Sequence, residues 1–254
     1  CNDAAAAGAT PVGLMVTLLA PPGATEAEIE AVAEDLASAA LAAGVDVMGS
    51  HTEVSDCVTR MVTCATVLAR VGKAGLVSPA GMSPGDDIVM TKWAGMEGTA
   101  VIAADFGADL RLSPEEQAQA NAFYDAVSVV PEGVFAAAHG ATAMHDITEG
   151  GVLGAAWELS RASGVGMTLF PEAIPVHPVT AKVCAAKGID PLRLLGSGSM
   201  LIACQDGAVL CRGLADMGIQ AAIIGKAGER ATGVTFADGT PVEPPQADEL
   251  YKLF

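Results

Sequence analysis

The chain has 254 residues, of which 51% are hydrophobic and 17% charged, and this composition excludes a disordered chain. Thirteen basic and thirty acidic residues give a formal net charge of -17, which argues against nucleic acid and membrane surfaces as partners. The apolar runs are too short to span a bilayer and no signal-peptide pattern is visible, so we expect a cytoplasmic protein. Six singly spaced cysteines predict neither a disulfide framework nor structural zinc.

The first half of the chain is predicted to combine strands with interposed helices. An apolar run ends at Pro21-Pro22-Gly23, and Thr25 with Glu28 has the spacing of a capping box that opens a helix. Gly44 is the residue expected to close that helix. In chain order we predict a strand over 11–20, a helix over 25–43, a strand over 45–48, a polar turn over 49–56, and strands over 58–71 and 87–92.

The second half is predicted to alternate helices and strands. Ser113, Pro114 and Glu116 announce a helix as N-cap, N1 and N3 residues, and we place a domain boundary near residues 110–115. The two domains would cover residues 1–110 and 111–254. Predicted helices cover 95–106, 131–139, 150–162, 177–187 and 207–217; strands cover 165–170, 199–204 and 219–224; an Asp-Gly hairpin lies at 237–240, and an amphipathic tail covers 248–254.

A polar segment at residues 145–151 precedes an amphipathic helix and contains His145, Asp146, Thr148, Gly150 and Gly151. A helix start that is bare of side chains attracts phosphate through its free N–H groups and its dipole, and an aspartate there can hold a divalent cation. The alternative is that Asp146 or Thr148 only caps the helix while the glycines make a turn.

Three further candidates lie at predicted element ends. Asn2-Asp3 precedes an alanine-rich helical segment, so Asp3 is either a magnesium ligand or part of a plain helix cap. In residues 49–53, His51 is a candidate proton carrier or ligand and Glu53 a candidate base, or the segment is only a polar loop. Lys92 could neutralise phosphate charge, although such lysines more often only extend from a strand end.

Taken in order, these motifs resemble the aminoimidazole ribonucleotide (AIR) synthase superfamily, and most of all its HypE-like hydrogenase maturation members. The resemblance covers nearly the whole chain. It is carried by residues 2–9, 49–54, 84–87 and 145–151, with further support from residues 162–166, 189–192 and 196–198.

The resemblance implies a two-domain α/β (α+β) fold, in which N-terminal strands join those of a second subunit in a dimer barrel and a C-terminal α/β domain closes over ATP. It implies ATP and Mg²⁺ as cofactors, with Asp3 and Asp146 as metal ligands. The remaining roles it implies are catalytic for His51, Glu53 and Asp146, and cofactor-binding for Asn2, Asp3, Lys92, His145, Thr148, Gly150 and Gly151.

Two departures from the family pattern shape the functional expectation. HypE proper ends in a cysteine that carries the group to be dehydrated, whereas this chain ends at Phe254. The family also has a segment before the Asn-Asp motif, which here stands at the first residues, so we expect that the chain either is a fragment or lacks part of the ATP site. We therefore expect either an ATP- and Mg²⁺-dependent ligase, kinase or dehydratase that acts on a small molecule or a protein thiol, or a non-catalytic homologue that keeps the dimeric scaffold.

Overall fold

A computed structural model describes residues 1–229, 231 and 233–254. The first elements are α1 (Asn2–Ala6), β1 (Ala9–Ala20), α2 (Glu26–Ala42), β2 (Asp46–Val54), β3 (Val62–Val71), β4 (Asp87–Thr91), α3 (Met96–Leu110), α4 (Pro114–Asp125) and α5 (Val130–Ala138). They are followed by β5 (Ala141–Ile147), α6 (Gly151–Ser163), β6 (Met167–Leu169), α7 (Pro178–Lys187), β7 (Ser199–Cys204), α8 (Gly207–Asp216), β8 (Ala221–Ala227) and β9 (Val234–Phe236). Short 3-10 helices cover Pro79–Gly81, Pro171–Ala173 and Glu249–Leu253.

The first three strands form an open three-stranded sheet in the order β2-β1-β3. Strand β1 pairs in parallel with β2 and antiparallel with β3. Val16 and Leu18 of β1 are buried on one face, where Val32 and Leu36 of α2 line the same small cavity. Met15 points to the other face and is 55% exposed, so α2 covers only one side of this sheet.

The remaining strands form a six-stranded sheet in the order β5-β7-β4-β8-β6-β9. Ile88 and Met90 of β4 pack into the cluster under α6, and Val89 between them packs into the cluster under α5 and α8. All three side chains are fully buried because helices cover both faces of the sheet, which explains the continuous apolar run in β4. The sheets divide the chain between β3 and β4; the predicted domain boundary near residues 110–115 stays a prediction.

Most helices lie where the sequence predicted them. Thr25 and Ser113 both form the predicted capping boxes, with Glu28 and Glu116 respectively, and Gly188 closes α7 in a left-handed conformation. The Asp-Gly hairpin is confirmed by the antiparallel bridge between Thr235 and Pro241. None of the helices within the described residues is long and apolar enough to cross a membrane.

Two strands differ from the sequence-based prediction. The polar turn predicted over residues 49–56 is wrong, because β2 continues to Val54 and pairs with β1 as far as Ala20. Strand β5 was not predicted, and it places His145 and Asp146 inside a strand that pairs with β7. In both cases the partner strand supplies the backbone hydrogen bonds, so polar or alanine-rich residues with weak strand preference are held in the sheet.

Candidate functional site

A cavity of about 720 Å³ lies between α1, α2, the α4–α5 connection and the end of β5. One part of its wall is apolar, formed by alanines of α2 and by the ring of Tyr124. Another part is acidic and carries Asp3, Asp125 and Asp146. Among the described residues that line this cavity, none is a lysine or an arginine. An anionic ligand therefore needs a cation to enter the acidic part.

Asp3 reaches the cavity because the short helix α1 packs closely against α5. A Cβ atom on Gly133 of α5 would lie 2.5 Å from the carbonyl oxygen of Ala5, so only glycine permits this approach. The neighbouring Asn2 donates from its amide to the Val127 carbonyl at 2.8 Å and accepts from the Val129 N–H at 2.9 Å. These two bonds fix the first turn of α1, in which Asp3 lies.

Asp146 lies near the end of β5, and its side chain is only 14% exposed. Burial raises the pKa of this carboxyl above the usual aspartate value, and the negative charge of Asp3 raises it further, while His145 partly opposes the shift. The carboxylates predicted to share a metal therefore line one cavity and repel each other. Thr148, which is predicted to bind the cofactor, also lines this cavity.

A second cavity of about 300 Å³ shares Asp3 and Asp146 with the first and is also lined by His145. The imidazole of His145 is held by Glu158, with 3.1 Å between Nε2 and Oε2, and by the Asp146 carbonyl, 2.6 Å from Nδ1. His145 is thus fixed beside the two aspartates; its predicted role in cofactor binding stays a prediction.

The start of α6 is not bare, and this expectation from the sequence is wrong. The N–H of Gly150 donates to Oδ2 of Asp248 at 2.7 Å, and the N–H of Gly151 donates to the Thr148 carbonyl. Both glycines are buried, and a Cβ atom on Gly151 would lie 2.6 Å from the Leu192 carbonyl oxygen. The N–H of Gly150 is thus already paired with an internal carboxylate, and the predicted role of Gly150 and Gly151 in cofactor binding stays a prediction.

Asp248 holds the chain's C-terminal segment against α6. Besides the Gly150 N–H, its carboxylate accepts the N–H groups of Leu195 at 3.1 Å and Leu250 at 2.8 Å, and the residue is only 3% exposed. The role of Asp248 was not predicted from the sequence, because its partners Gly150 and Leu195 lie 98 and 53 positions away along the chain. The only local signal was its place at the start of the predicted tail.

Lys92 does not line either cavity that contains Asp3. Its ammonium lies 2.8 Å from Oε1 of Glu132, a residue that is completely buried. The predicted contact of Lys92 with a cofactor stays a prediction, but its donors are directed to the protein in this structure. Glu132 was not predicted from the sequence either, although an acidic residue within the apolar stretch 129–138 was a usable signal.

His51 and Glu53 lie on β2, away from the two aspartates. Their side chains are 68% and 59% exposed, with 3.4 Å between Nε2 of His51 and Oε2 of Glu53. His51 is in register with Thr17 of β1, which in turn faces Cys64 of β3. The pair therefore belongs to the three-stranded sheet, and its predicted catalytic role stays a prediction.

The donor set of the main cavity suits magnesium better than a metal that needs a complete protein cage. In the described part of the chain, no three His, Cys, Asp or Glu side chains are arranged around a common metal position. Mg²⁺ is commonly bound through one or two carboxylates, with water and substrate phosphates as its other ligands. Asp3 and Asp146 meet that requirement, whereas a structural zinc site would need four protein ligands.

Family models match both parts of the chain. The model described as AIR synthase related protein, N-terminal domain, matches residues 1–71, and the model for the C-terminal domain of the same proteins matches residues 83–237. The gap between the two matches coincides with the division between the two sheets.

Individual relatives agree with these matches. The carbamoyl dehydratase HypE of Cupriavidus necator is 32% identical over 205 residues, which cover 80% of this chain and 57% of the relative. A putative hydrogenase expression/formation protein of Methanocaldococcus jannaschii is 26% identical and covered to 58%. The chain thus spans less than two thirds of these relatives.

Solved structures confirm the predicted AIR synthase-like α/β fold. The crystal structure of Escherichia coli HypE superposes with a TM-score of 0.82 at 24% identity, over 100% of this chain and 79% of that one. Thiamine monophosphate kinase from Aquifex aeolicus gives a TM-score of 0.77 at 18% identity, over 96% of this chain and 79% of that one.

Replacing Asp248 tests the contacts at the start of α6. Asp248→Ala leaves three N–H groups without their acceptor and should lower the free energy of unfolding by about 3 kcal/mol, whereas Asp248→Asn keeps one acceptor oxygen and should lose less. Chemical denaturation measures both values. Asp206→Ala removes a single helix-cap bond and is the control, with an expected loss of about 1 kcal/mol. Equal losses for Asp248→Ala and Asp206→Ala would contradict this account.

The raised pKa of Asp146 predicts a stability effect that depends on pH. The folded protein binds this proton more tightly than the unfolded chain, so the contribution to stability is present below the usual aspartate pKa and lost as pH rises through the folded-state value. Asp146→Asn should therefore melt higher than the wild type at neutral pH, with the difference shrinking toward about pH 4. Thermal melts across this range measure the difference. A constant difference would contradict the prediction.

Proposed function

The chain belongs to the AIR synthase related protein family, and on that premise we propose that it is an ATP- and Mg²⁺-dependent enzyme of the HypE-like type. It activates a small substrate or a protein partner by phosphoryl transfer. The observation that carries the proposal is that Asp3 and Asp146, from α1 and β5, line one cavity without a lysine or arginine among its described lining residues.

The cavity has the polarity of a nucleotide site. Ala39 and Ala42 of α2, with Ala43 directly after the helix, offer an apolar surface for a base, and the Tyr124 ring, which is 45% exposed, can stack on the base. The acidic wall with Asp3 and Asp146 takes the phosphates. Because that wall repels a free triphosphate, nucleotide binding depends on the divalent cation.

Asp3 and Asp146 hold the cation through their carboxylates, and Asn2 keeps the first turn of α1 in place. When bound, Mg²⁺ supplies positive charge that neutralises the phosphate oxygens and orients the transferred group. Thr148 offers a hydroxyl to the same space. Partial burial of Asp146 makes its negative charge unfavourable in the absence of a cation. A bound cation would remove this electrostatic cost.

Proteins of the same fold support the choice of ATP. One solved HypE structure is a complex with ATP, and a thiamine monophosphate kinase was solved with AMPPCP and TMP. A HypE–HypF complex supports a protein as the second partner. Here the nature of the acceptor is part of the proposal, because the fold is shared by proteins that act on different substrates.

A non-catalytic binding protein is the second candidate. It is favoured by the position of His51 and Glu53, which lie outside the cavity that contains Asp3 and Asp146. The two candidates differ in ATP turnover. Release of phosphate from ATP in the presence of Mg²⁺, lost in Asp146→Asn, supports the enzyme; tight nucleotide binding without any turnover supports the binding protein.

Nucleotide binding should depend strictly on the metal. At saturating ATP and Mg²⁺ the melting temperature should rise by roughly 5 to 10 °C, and ATP with EDTA should give no shift. Asp3→Asn and Asp146→Asn should each weaken binding by about tenfold or more. Asp216→Asn is the control, because this exposed aspartate at the end of α8 lines neither cavity. Equal shifts with and without Mg²⁺ would contradict the proposal.

We further propose that the uncovered face of the three-stranded sheet pairs with a second copy of the chain. Met15 and Val62 on this face are 55% and 41% exposed, and His51, Glu53 and Cys64 lie on the same face by register. An exposed apolar sheet face of this kind is typical of an interface. Two such sheets would build the barrel expected from the family resemblance and enclose His51 and Glu53.

The dimer proposal predicts a change of mass on one substitution. Light scattering after size exclusion should give a dimer for the wild type and a monomer for Met15→Glu, since a carboxylate would be buried in the interface. Leu41→Glu on α2 is the control, because Leu41 is 83% exposed and lies on another surface. A monomeric wild type, or a dimeric Met15→Glu variant, would refute the proposal.

A further inference from the structure

Residues 126–129 connect α4 to α5, and we call them the strap. Successive carbonyl groups of the strap are bound from two directions. Asn2 binds the Val127 carbonyl and the Val129 N–H, while the Lys92 ammonium donates to the carbonyls of Ala126 at 3.3 Å and Ser128 at 2.6 Å. Val127 and Ser128 themselves line the cavity. The strap thus lies between Asn2 and Lys92.

Lys92 is held in an uncommon conformation to make these contacts. Its φ of 52° lies in the left-handed region, which costs energy for any residue other than glycine. The two strap carbonyls and Oε1 of Glu132, at 2.8 Å, account for the three donors of its ammonium group. The ammonium thus has a full set of partners, and two of the three are carbonyl groups of the strap.

The Glu132 carboxylate is buried at an energetic cost. It is completely buried in the first turn of α5, and Oε1 also accepts from Thr91 at 3.4 Å. Its second oxygen, Oε2, has no hydrogen-bond partner among the described residues. Apolar residues at both positions would fill the same space without this desolvation cost, so the pair is not explained by packing alone.

We infer that Lys92, paired with Glu132, is a positioning residue. It fixes the position of the strap, and the strap in turn fixes the first turn of α1 through Asn2, so that Asp3 faces Asp146 across the cavity. The inference rests on the proposed function for its nucleotide effect, but the geometry of the strap can be measured by itself. Lys92 contacts no ligand in this account. Its effect passes through two carbonyl groups and the Asn2 amide.

The experiment compares three variants of the chain. Lys92→Met removes the donors, Lys92→Arg keeps a charged donor group, and the double variant Lys92→Met with Glu132→Gln avoids leaving a lone charge in the interior. Lys182→Met is the matched control, because Lys182 also contacts a carboxylate and a carbonyl, those of Glu116 and Arg111, but not the strap. Each variant is measured for binding of Mg²⁺ with AMP-PNP by calorimetry and for hydrogen exchange at the Val129 amide.

A positioning role predicts that the double variant melts cooperatively, binds Mg²⁺ and AMP-PNP about tenfold or more weakly, and exchanges the Val129 amide about tenfold faster. Lys92→Arg should recover most of both values, and Lys182→Met should change neither. Unchanged affinity in a folded double variant overturns the inference, as does unchanged Val129 exchange. A wild-type chain that binds no nucleotide refutes the proposed function and the nucleotide effect inferred here, while the exchange result still decides whether Lys92 sets the strap.

Discussion

The close approach of α1 to α5 is the contact on which the candidate site depends. Gly133 leaves room for the Ala5 carbonyl, and at the other end of α1 a Cβ atom on Gly8 would lie 2.7 Å from the Ala137 side chain. Two glycine positions thus allow one short helix to lie directly on a longer one. With α1 in this position, Asn2 reaches the strap and Asp3 reaches the cavity wall beside Asp146.

Energetically unfavourable features are concentrated around this cavity. A partly buried aspartate with a raised pKa, a buried glutamate with one unpartnered oxygen and a left-handed lysine lie on or behind its wall. Such features persist where the surrounding structure enforces them, and they are common at functional sites. The contrast with Asp248 is informative, because that buried carboxylate has an N–H partner for each oxygen and stabilises the fold without facing either cavity that contains Asp3.

The parts of the fold that could be predicted from sequence are those decided by neighbouring residues. The capping boxes at Thr25 and Ser113 and the glycine that ends α7 act within one helical turn, so the chain itself displays them. Strand β2 was cut short in the prediction, since only its pairing with β1 holds polar residues such as Ser50 and Thr52 in a sheet. Features that depend on residues close together in the sequence were therefore predicted, and features that depend on distant residues were missed.

The same distinction applies to the candidate site. That Asp3 and Asp146 belong together was expected from a family resemblance, because no local pattern relates residues 143 positions apart. The Gly150 N–H at the start of α6 was wrongly expected to be free, since its acceptor, Asp248, lies 98 positions further along the chain. Lys92 and Glu132 meet through the packing of β4 against α5, so neither partner could be recognised from the residues around it.

Helix α1 is too short to be stable without its contacts to α5. A helix of five residues does not persist in water by itself, so α1 is ordered only while it is docked on α5. Its fraying is a local opening that needs no unfolding of the six-stranded sheet, and it withdraws Asn2 and Asp3 together. The occupancy of the docked state therefore sets an upper limit on the fraction of molecules in which the two aspartates are assembled.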